Sequence, residues 1–392
     1  MLIFYGLGTT VGAGIYALTG AVAGAAGTYA PVAFLVAALL VAFSAFSFAE
    51  LSSRFPRSAG EAVYVREGLG SRRVALAVGL LVVLAGAVSS ATIVNGFVGY
   101  LQEIVPIPRA LAVTLLIILL AGIAAWGISE SVSAAALLTV VEIGGLLVVV
   151  WVTRGSFADL PARWTELVPP FSVQAWGGIF AGSFLAFYAF IGFEDMVNVA
   201  EEVKNAQRTI PIAIIVTLAI TTVIYLLVAV TAALSIDPAR LAESDAPLSL
   251  LYRHATGESG IGIGLVAILA MLNGTLIQII MASRILFGLS DQGELPPALG
   301  VVNARTRTPI RATLVVAGVV LCLALPWTVG PLAEATSMVT LTIFSLVNLA
   351  LVALKLRRPA SDAAFRVPIA VPLIGFVVSA GFLAAELLSR VL

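Results

Sequence analysis

The sequence is poorest in the residues that build soluble active sites. Its 392 residues hold one cysteine, Cys322, and one histidine, His254. No disulfide framework and no Cys/His metal site can be drawn from them. Cys322, inside an apolar run, is expected as a small buried hydrophobe, and His254 as a solvated loop residue. Charge is scarce as well: 11% of residues are charged, the formal net charge is zero and neither end is a basic or acidic tail. Nucleic acid is therefore not an expected partner. The alternating short strands of a membrane barrel are missing. No Lys or Arg precedes the first apolar stretch, whereas a secretory signal opens with a positive region. The small residues Ala21-Val22-Ala23-Gly24-Ala25 are accordingly read as part of a mature helix.

What fills the chain is apolar. Hydrophobic residues make up 60% and mean hydropathy is +1.10, too much to hide in a water-soluble core, so the class is polytopic membrane protein. Apolar runs of about 18 residues or more recur, each able to cross a hydrocarbon layer of roughly 30 Å as a helix. Lipid satisfies no backbone groups, so spanning helices are expected and the fold class is all-α. Breaks at charge clusters, Pro and Gly predict eleven transmembrane spans in a single domain, 1–392: about 2–25, 32–53, 73–101, 109–127, 132–153, 175–200, 210–235, 260–289, 311–328, 333–355 and 367–389. Fifteen of the 21 Lys and Arg residues, among them Arg54, Arg57, Arg66, Lys204, Arg284, Lys355 and Arg358, fall on one side of such a layout. Positive loops stay inside, which predicts a multi-pass protein of the cell membrane with a cytoplasmic N-terminus.

Two spans are interrupted where a membrane helix should be continuous. Gly6-Leu7-Gly8-Thr9-Thr10-Val11-Gly12-Ala13-Gly14-Ile15-Tyr16 carries four glycines, and Ala189-Phe190-Ile191-Gly192-Phe193 runs straight into Glu194-Asp195. Each interrupted span is followed by four more, giving a first five-helix unit at 2–153, a second at 175–355 and an extra helix at 367–389. An odd number of spans inverts the second unit relative to the first. Glycine interruptions at matching positions of an inverted repeat point to the substrate site of a transporter. For the first motif alone, close helix packing through small residues is an equal reading; the paired break in the sixth span favours a site.

These stretches resemble a known family. Gly12-Ala13-Gly14-Ile15-Tyr16, the Ala49-Glu50-Leu51 to Gly60-Glu61 connection, Phe190-Ile191-Gly192-Phe193-Glu194 with Ala200-Glu201-Glu202-Val203-Lys204-Asn205, and Ala282-Ser283-Arg284 with Asp291-Gln292-Gly293-Glu294-Leu295-Pro296 look like bacterial amino acid permeases. They are similar to the amino acid-polyamine-organocation (APC) superfamily, in particular its cationic amino acid transporter-like branch. The resemblance implies an APC/LeuT-like fold: a 5+5 inverted repeat with discontinuous helices 1 and 6. It implies a secondary active amino acid transporter working by alternating access, as a proton-coupled symporter or as an exchanger of amino acids or polyamines, and no enzyme. A non-transporting amino acid sensor is a distant third reading. Members usually have a cytoplasmic tail before the first span and twelve or more spans, whereas this sequence opens on its first span and shows eleven, as a short member or as one with both ends trimmed.

A zwitterion at mid-membrane needs donors for its carboxylate and acceptors for its ammonium. The half-helix after Gly12-Ala13-Gly14 offers free N–H groups and a positive dipole end; carbonyls at Val11, Ala189, Phe190 and Gly192 offer acceptors. Val11, Gly12, Ala13, Gly14, Ile15, Ala189, Phe190, Ile191 and Gly192 are the expected substrate-binding set, with Phe190 covering the substrate's side chain. The small apolar lining leans toward neutral substrates. Glu142 stands mid-span with no basic residue within ten positions, and a membrane-buried carboxyl is by default functional. In proton-coupled relatives a lysine of this span stands in for a sodium ion; Glu142 is found here instead. Glu142, Glu194 and Asp195 are the candidates for coupling protons. Asn273, Ser283 and Arg284 are candidates for a sodium site or a gate. No cofactor and no metal centre are expected.

Overall fold

The computed structural model describes residues 1–57, 60–127, 132–357 and 363–390. Ser58 and Ala59 of the first polar connection, and Arg358 of the basic side, lie outside them. Among the described residues every regular element is helical. Leu2–Thr10 (α1) and Ala13–Ala26 (α2) are the halves of the first span. Ala30–Arg54 (α3), the short Gly60–Leu69 (α4), Arg72–Gln102 (α5), Arg109–Trp126 (α6) and Val132–Val152 (α7) follow. Gly155–Arg163 (α8) leads to Val173–Ala189 (α9), which gives way to a 3-10 helix, Phe193–Glu202. The chain then forms Ala206–Ser235 (α10), Pro238–Ala242 (α11), Pro247–Thr256 (α12), Ile261–Asp291 (α13), Ile310–Ala324 (α14), Val329–Arg357 (α15) and Ala370–Ser389 (α16).

Eight of these helical stretches are long and apolar enough to cross a membrane, and nine with the bent pair Ala136–Val152 and Gly155–Leu167, which turns by 61°. One stretch, Leu2–Arg54, contains two expected spans, and Ile310–Ala324 is a shorter apolar helix. Each of the eleven expected spans thus coincides with a helix or helix pair. Two minor expectations are corrected. Cys322 is exposed, because α14 buries the stripe Ala312, Val316, Ala317, Val320 and Ala324 and Cys322 falls off it. His254 is exposed on α12 and not in a loop.

Spans five places apart pack together: α2 on α9, α3 on α10, α5 on α13 and α6 on α14. The two broken spans therefore meet at the centre of the bundle. Large apolar side chains face outward, including Leu115 and Ile118 of α6, Leu314 of α14 and Val377 of α16, as lipid contact requires.

Polar groups tie the elements at one end. Glu50 of α3 is fully buried. Its carboxylate accepts from Arg54 Nη2 at 2.6 Å, from Lys355 Nζ of α15 at 2.7 Å and from the backbone N–H of Val367 at 2.8 Å. Lys355 also donates to the Val367 carbonyl at 2.6 Å, so the approach to α16 is stapled to α3 and α15. Beside this staple α4 is wedged into the bundle: a methyl at Gly68 would lie 2.7 Å from Ala350 Cα, and buried Tyr64 stands edge-on to Phe48 at 6.2 Å. Removing one partner of a buried ion pair strands the others. Glu50→Ala is expected to destabilise the fold by about 3–5 kcal/mol, read as a lowered melting temperature in detergent.

Candidate binding site between two broken helices

The first break is a backbone event. Gly12 takes φ −58° and ψ −122°, and α2 starts without a side-chain cap. The first N–H groups of α2, beginning at Ala13 and Gly14, therefore have no partner within their helix. At the second break Phe190 N and Ile191 N bond back to Phe187 O and Tyr188 O, each at 3.1 Å. Gly192 then turns to φ 122°, a conformation L side chains avoid.

The two breaks touch backbone to backbone. A methyl on Gly192 would run into the Thr9 carbonyl and stand 3.1 Å from Thr10 N, and one on Gly14 would lie 2.6 Å from Ala189 Cα. Thr9 Oγ1 donates to the Gly192 carbonyl at 2.9 Å. The buried hydroxyl of Tyr225 on α10 lies 2.7 Å from Thr10 O and 2.8 Å from Ala189 O. One O–H shared by two carbonyls leaves acceptor capacity at both helix ends.

Between the breaks is a cavity of about 30 Å³ lined by Thr9, Thr10, Ala13, Gly14, Ser89, Ile93, Tyr188, Ala189, Ile191 and Gln278, with Gly8, Gly274 and Ile277. That is room for about two water-sized groups. Of the expected binding set, Ala13, Gly14, Ala189 and Ile191 line the cavity. Val11, Gly12, Ile15 and Gly192 shape the breaks around it. Phe190 is buried and packs on Tyr225, ring centroids 5.0 Å apart, and is not among the lining residues. Phe187 and Phe193 both stack edge-on against Phe344. The hydroxyl of Tyr188 meets Ser89 Oγ at 3.0 Å. Tyr188 adjoins the break in sequence and was findable there; Tyr225 carried no signal.

The other candidates fall around this centre. Glu142 on α7 is buried, with Oε2 4.0 Å from where a methyl on Gly12 would stand, and its backbone carbonyl accepts from the Tyr16 hydroxyl at 2.7 Å. Asn273 is buried and its Oδ1 has no hydrogen-bond partner among the described residues. Ser283 is buried and donates to the Ile279 carbonyl within its own helix. Arg284 is exposed on α13.

Glu194 and Asp195 line a second cavity that shares Ser89, Ile191 and Gln278 with the first. Glu194 Oε2 accepts the Gly192 N–H at 2.9 Å, and Asp195 Oδ2 accepts from Gln278 Nε2 at 3.2 Å. The third acid there is Glu61 of α4, which ends the connection that follows Ala49-Glu50-Leu51. Burial pushes its carboxyl up to about 7.

A helical membrane bundle with two broken spans flanking a small cavity is the build of a solute transporter, which binds at the midplane where helices are discontinuous. Comparison narrows the class. The amino acid permease family model matches residues 1–388, and the chain belongs to that family. It is 30% identical over 372 residues to the mitochondrial cationic amino acid transporter 3 of Arabidopsis thaliana, covering 89% of this chain and 60% of the relative. It is 28% identical to the branched-chain amino acid permease of Bacillus subtilis, covering 94% and 82%. It is equally 28% identical to the methylthioribose transporter of the same organism, covering 97% and 85%. The chain thus spans about three-fifths of the length of the plant relative. The family and these relatives are transporters, not enzymes.

Two outcomes test the geometry. Gly192→Ala forces positive φ on a β-carbon, costing about 1–2 kcal/mol, and adds an overlap with Thr9; the variant is expected to lose ligand binding and melt lower. Glu61 binds its proton more tightly folded than unfolded. Its stability contribution is complete below its ordinary value of 4.5 and is lost as pH rises through about 7. Melting temperature is expected to fall between pH 5 and pH 8, and to fall less in Glu61→Gln.

Proposed function

We propose that this chain is a secondary active transporter of amino acids that works by alternating access, with protons coupled through Glu142. One observation carries the reading: two helix breaks face each other across a small cavity, one offering free N–H groups at Ala13 and Gly14, the other acceptor capacity at Ala189. That pairing suits the carboxylate and ammonium of an amino acid without any buried fixed charge. Family membership and the names of the relatives support amino acids as the solute. A cavity of about 30 Å³ is too small for a whole amino acid, so loading requires the bundle to open.

In this reading residues 2–153 and 175–355 are the inverted five-helix units, and 367–389 the additional helix. The packing of spans five places apart supports it. The broken spans rock against the scaffold formed by α5, α6, α13 and α14. The excess of Lys and Arg on one side supports a cytoplasmic N-terminus in the plasma membrane. Glu142 sits beside the Gly12 break, where its charge state acts directly on the site, and Glu194 and Asp195 stand at the other break. Proton symport is thus favoured over exchange and over sodium coupling through Asn273 and Ser283.

Uptake of a panel of radiolabelled amino acids into proteoliposomes, under an inward proton gradient, a sodium gradient or neither, tests the reading. Accumulation driven by protons alone is expected. Glu142→Gln is expected to lose that accumulation while still exchanging substrate. Uptake with an unchanged pH dependence in the variant overturns the role of Glu142, and binding without flux overturns transport.

A further inference from the structure

The loop between α13 and α14 builds a patch that has no part in the central site. It carries Arg305 and Arg307, and Arg311 follows in the first turn of α14; no acidic residue stands between Glu294 and Glu334. All three arginines are exposed, and among the described residues none has an ion-pair partner. Other basic residues at this end of the bundle are matched: Arg54 and Lys355 share Glu50, and Arg72 pairs with Glu294. Arg311 even stands where the dipole of α14 disfavours a cation.

The loop is fixed against the end of α6. Thr308 Oγ1 donates to the Ala125 carbonyl at 2.7 Å, and a methyl on Gly127 would lie 2.6 Å from the Thr306 carbonyl oxygen. Trp126 stands between these two contact points and is 76% exposed, so its indole is turned out of the bundle beside the arginines.

The helices that end in the patch show what covers it. On α6 the exposed side chains Leu111, Leu115, Ile118 and Leu119 recur at helical spacing, and Trp126, seven residues past Leu119, lies on the same face. On α14 the exposed stripe of Leu314, Val315 and Val319 starts three to four residues after Arg311, so Arg311 heads it. A β-carbon on Gly122 of α6 or Gly318 of α14 would meet nothing within 4 Å, which leaves an open notch in each stripe. The two helices pack together. Apolar side chains turned outward from a membrane bundle face acyl chains. Tryptophan favours the level where hydrocarbon gives way to headgroups. A soluble anion would account for the arginines and leave the stripes unexplained. A second copy on this face by a two-fold axis would set like charges together.

We propose that this face binds an anionic phospholipid, with its acyl chains on the stripes of α6 and α14, its phosphate on Arg305, Arg307 and Arg311, and Trp126 at the level between them. The planar guanidinium fork suits phosphate oxygens. The leaflet is the cytoplasmic one in the orientation proposed above, and the site does not depend on that orientation. The lipid would pin the scaffold pair α6 and α14 at one membrane surface.

Tryptophan quenching in the full chain tests this, in bilayers of phosphatidylcholine and phosphatidylglycerol with one or the other brominated on its acyl chains. Trp126→Phe gives the share of Trp126 by difference. Brominated phosphatidylglycerol is expected to quench that share more than brominated phosphatidylcholine at equal mole fraction, with an excess that shrinks as salt rises. Each arginine contributes about fivefold. Arg305→Gln, Arg307→Gln or Arg311→Gln alone is expected to reduce the preference by about that factor, and the three together to abolish it. Arg57→Gln with Arg73→Gln, at exposed positions on the same side, is expected to leave it unchanged. Equal quenching by the two lipids in the unaltered chain overturns the proposal, as does a preference that the triple variant keeps or the control pair loses. Loss of the preference to inorganic phosphate at matched ionic strength would make the patch a soluble-anion site. A dimer in which neither lipid quenches Trp126 would make it an interface between copies. Either result overturns the proposal and leaves amino acid transport standing.

Discussion

Everything in this structure depends on how closely two backbones approach inside an apolar bundle. At the crossing of the two broken spans, Gly14 lies against Ala189 and Gly192 against Thr9 with no space for a β-carbon. Lipid offers no hydrogen bonds, so a helix interrupted there must find partners within the protein. Thr9 and Tyr225 supply them, each hydroxyl reaching across from its own helix to a carbonyl of another. The protein fills only part of the hydrogen-bonding capacity at the breaks. The remainder, free N–H groups on one side and carbonyls on the other, is what a zwitterion can use.

Contacts of different strength lie on either side of that crossing. At one end Glu50, Arg54, Lys355 and Val367 form a staple of charge-assisted bonds between buried groups, strong because its members have no solvent to fall back on. Beside it α4 is held by small-residue contacts at Gly60 and Gly68 and by Tyr64 on Phe48, with a buried carboxyl at its start. Toward the other end the Tyr100 hydroxyl bonds the Tyr16 carbonyl at 2.9 Å, and the Tyr16 hydroxyl reaches α7. The chain between α10 and α13 covers α2 there, with a methyl on Gly24 only 2.8 Å from Ala242 Cβ. A helix pair with two half-helices can hinge at its breaks while the continuous helices stay fixed, and these contacts are the ones such a hinge would have to exchange.

The acids show how one residue type serves different ends by position. Glu50 is surrounded by donors and acts as a fastening. Glu142 lies beside the first break among tyrosines and apolar residues. Glu61, Glu194 and Asp195 line one small chamber together. Burial without a counter-charge makes protonation the cheapest way to neutralise a carboxyl, which is why Glu61, and not an exposed acid, is suited to exchange its proton near neutral pH.

The sequence by itself determined the solvent, the helices and the breaks. Apolar runs of spanning length admit only helices in lipid, and glycines at 6–14 and 192 mark where a helix cannot continue undisturbed. These are local properties, set by hydropathy and by the missing β-carbon, and they can be read one segment at a time. What the tertiary structure decided was which groups meet across the bundle. Phe190 packs on Tyr225, a partner on a helix that starts only at residue 206. Tyr225 bonds carbonyls 215 and 36 residues away, and no spacing in the chain announces that. Glu61 belongs in the sequence to the connection that follows Ala49-Glu50-Leu51, and only the packed bundle sets α4 against Val197 and Ala350. Helix faces turn by about 100° per residue, so a side chain's neighbours depend on the rotation of its helix against all the others, and only the packed bundle fixes that rotation.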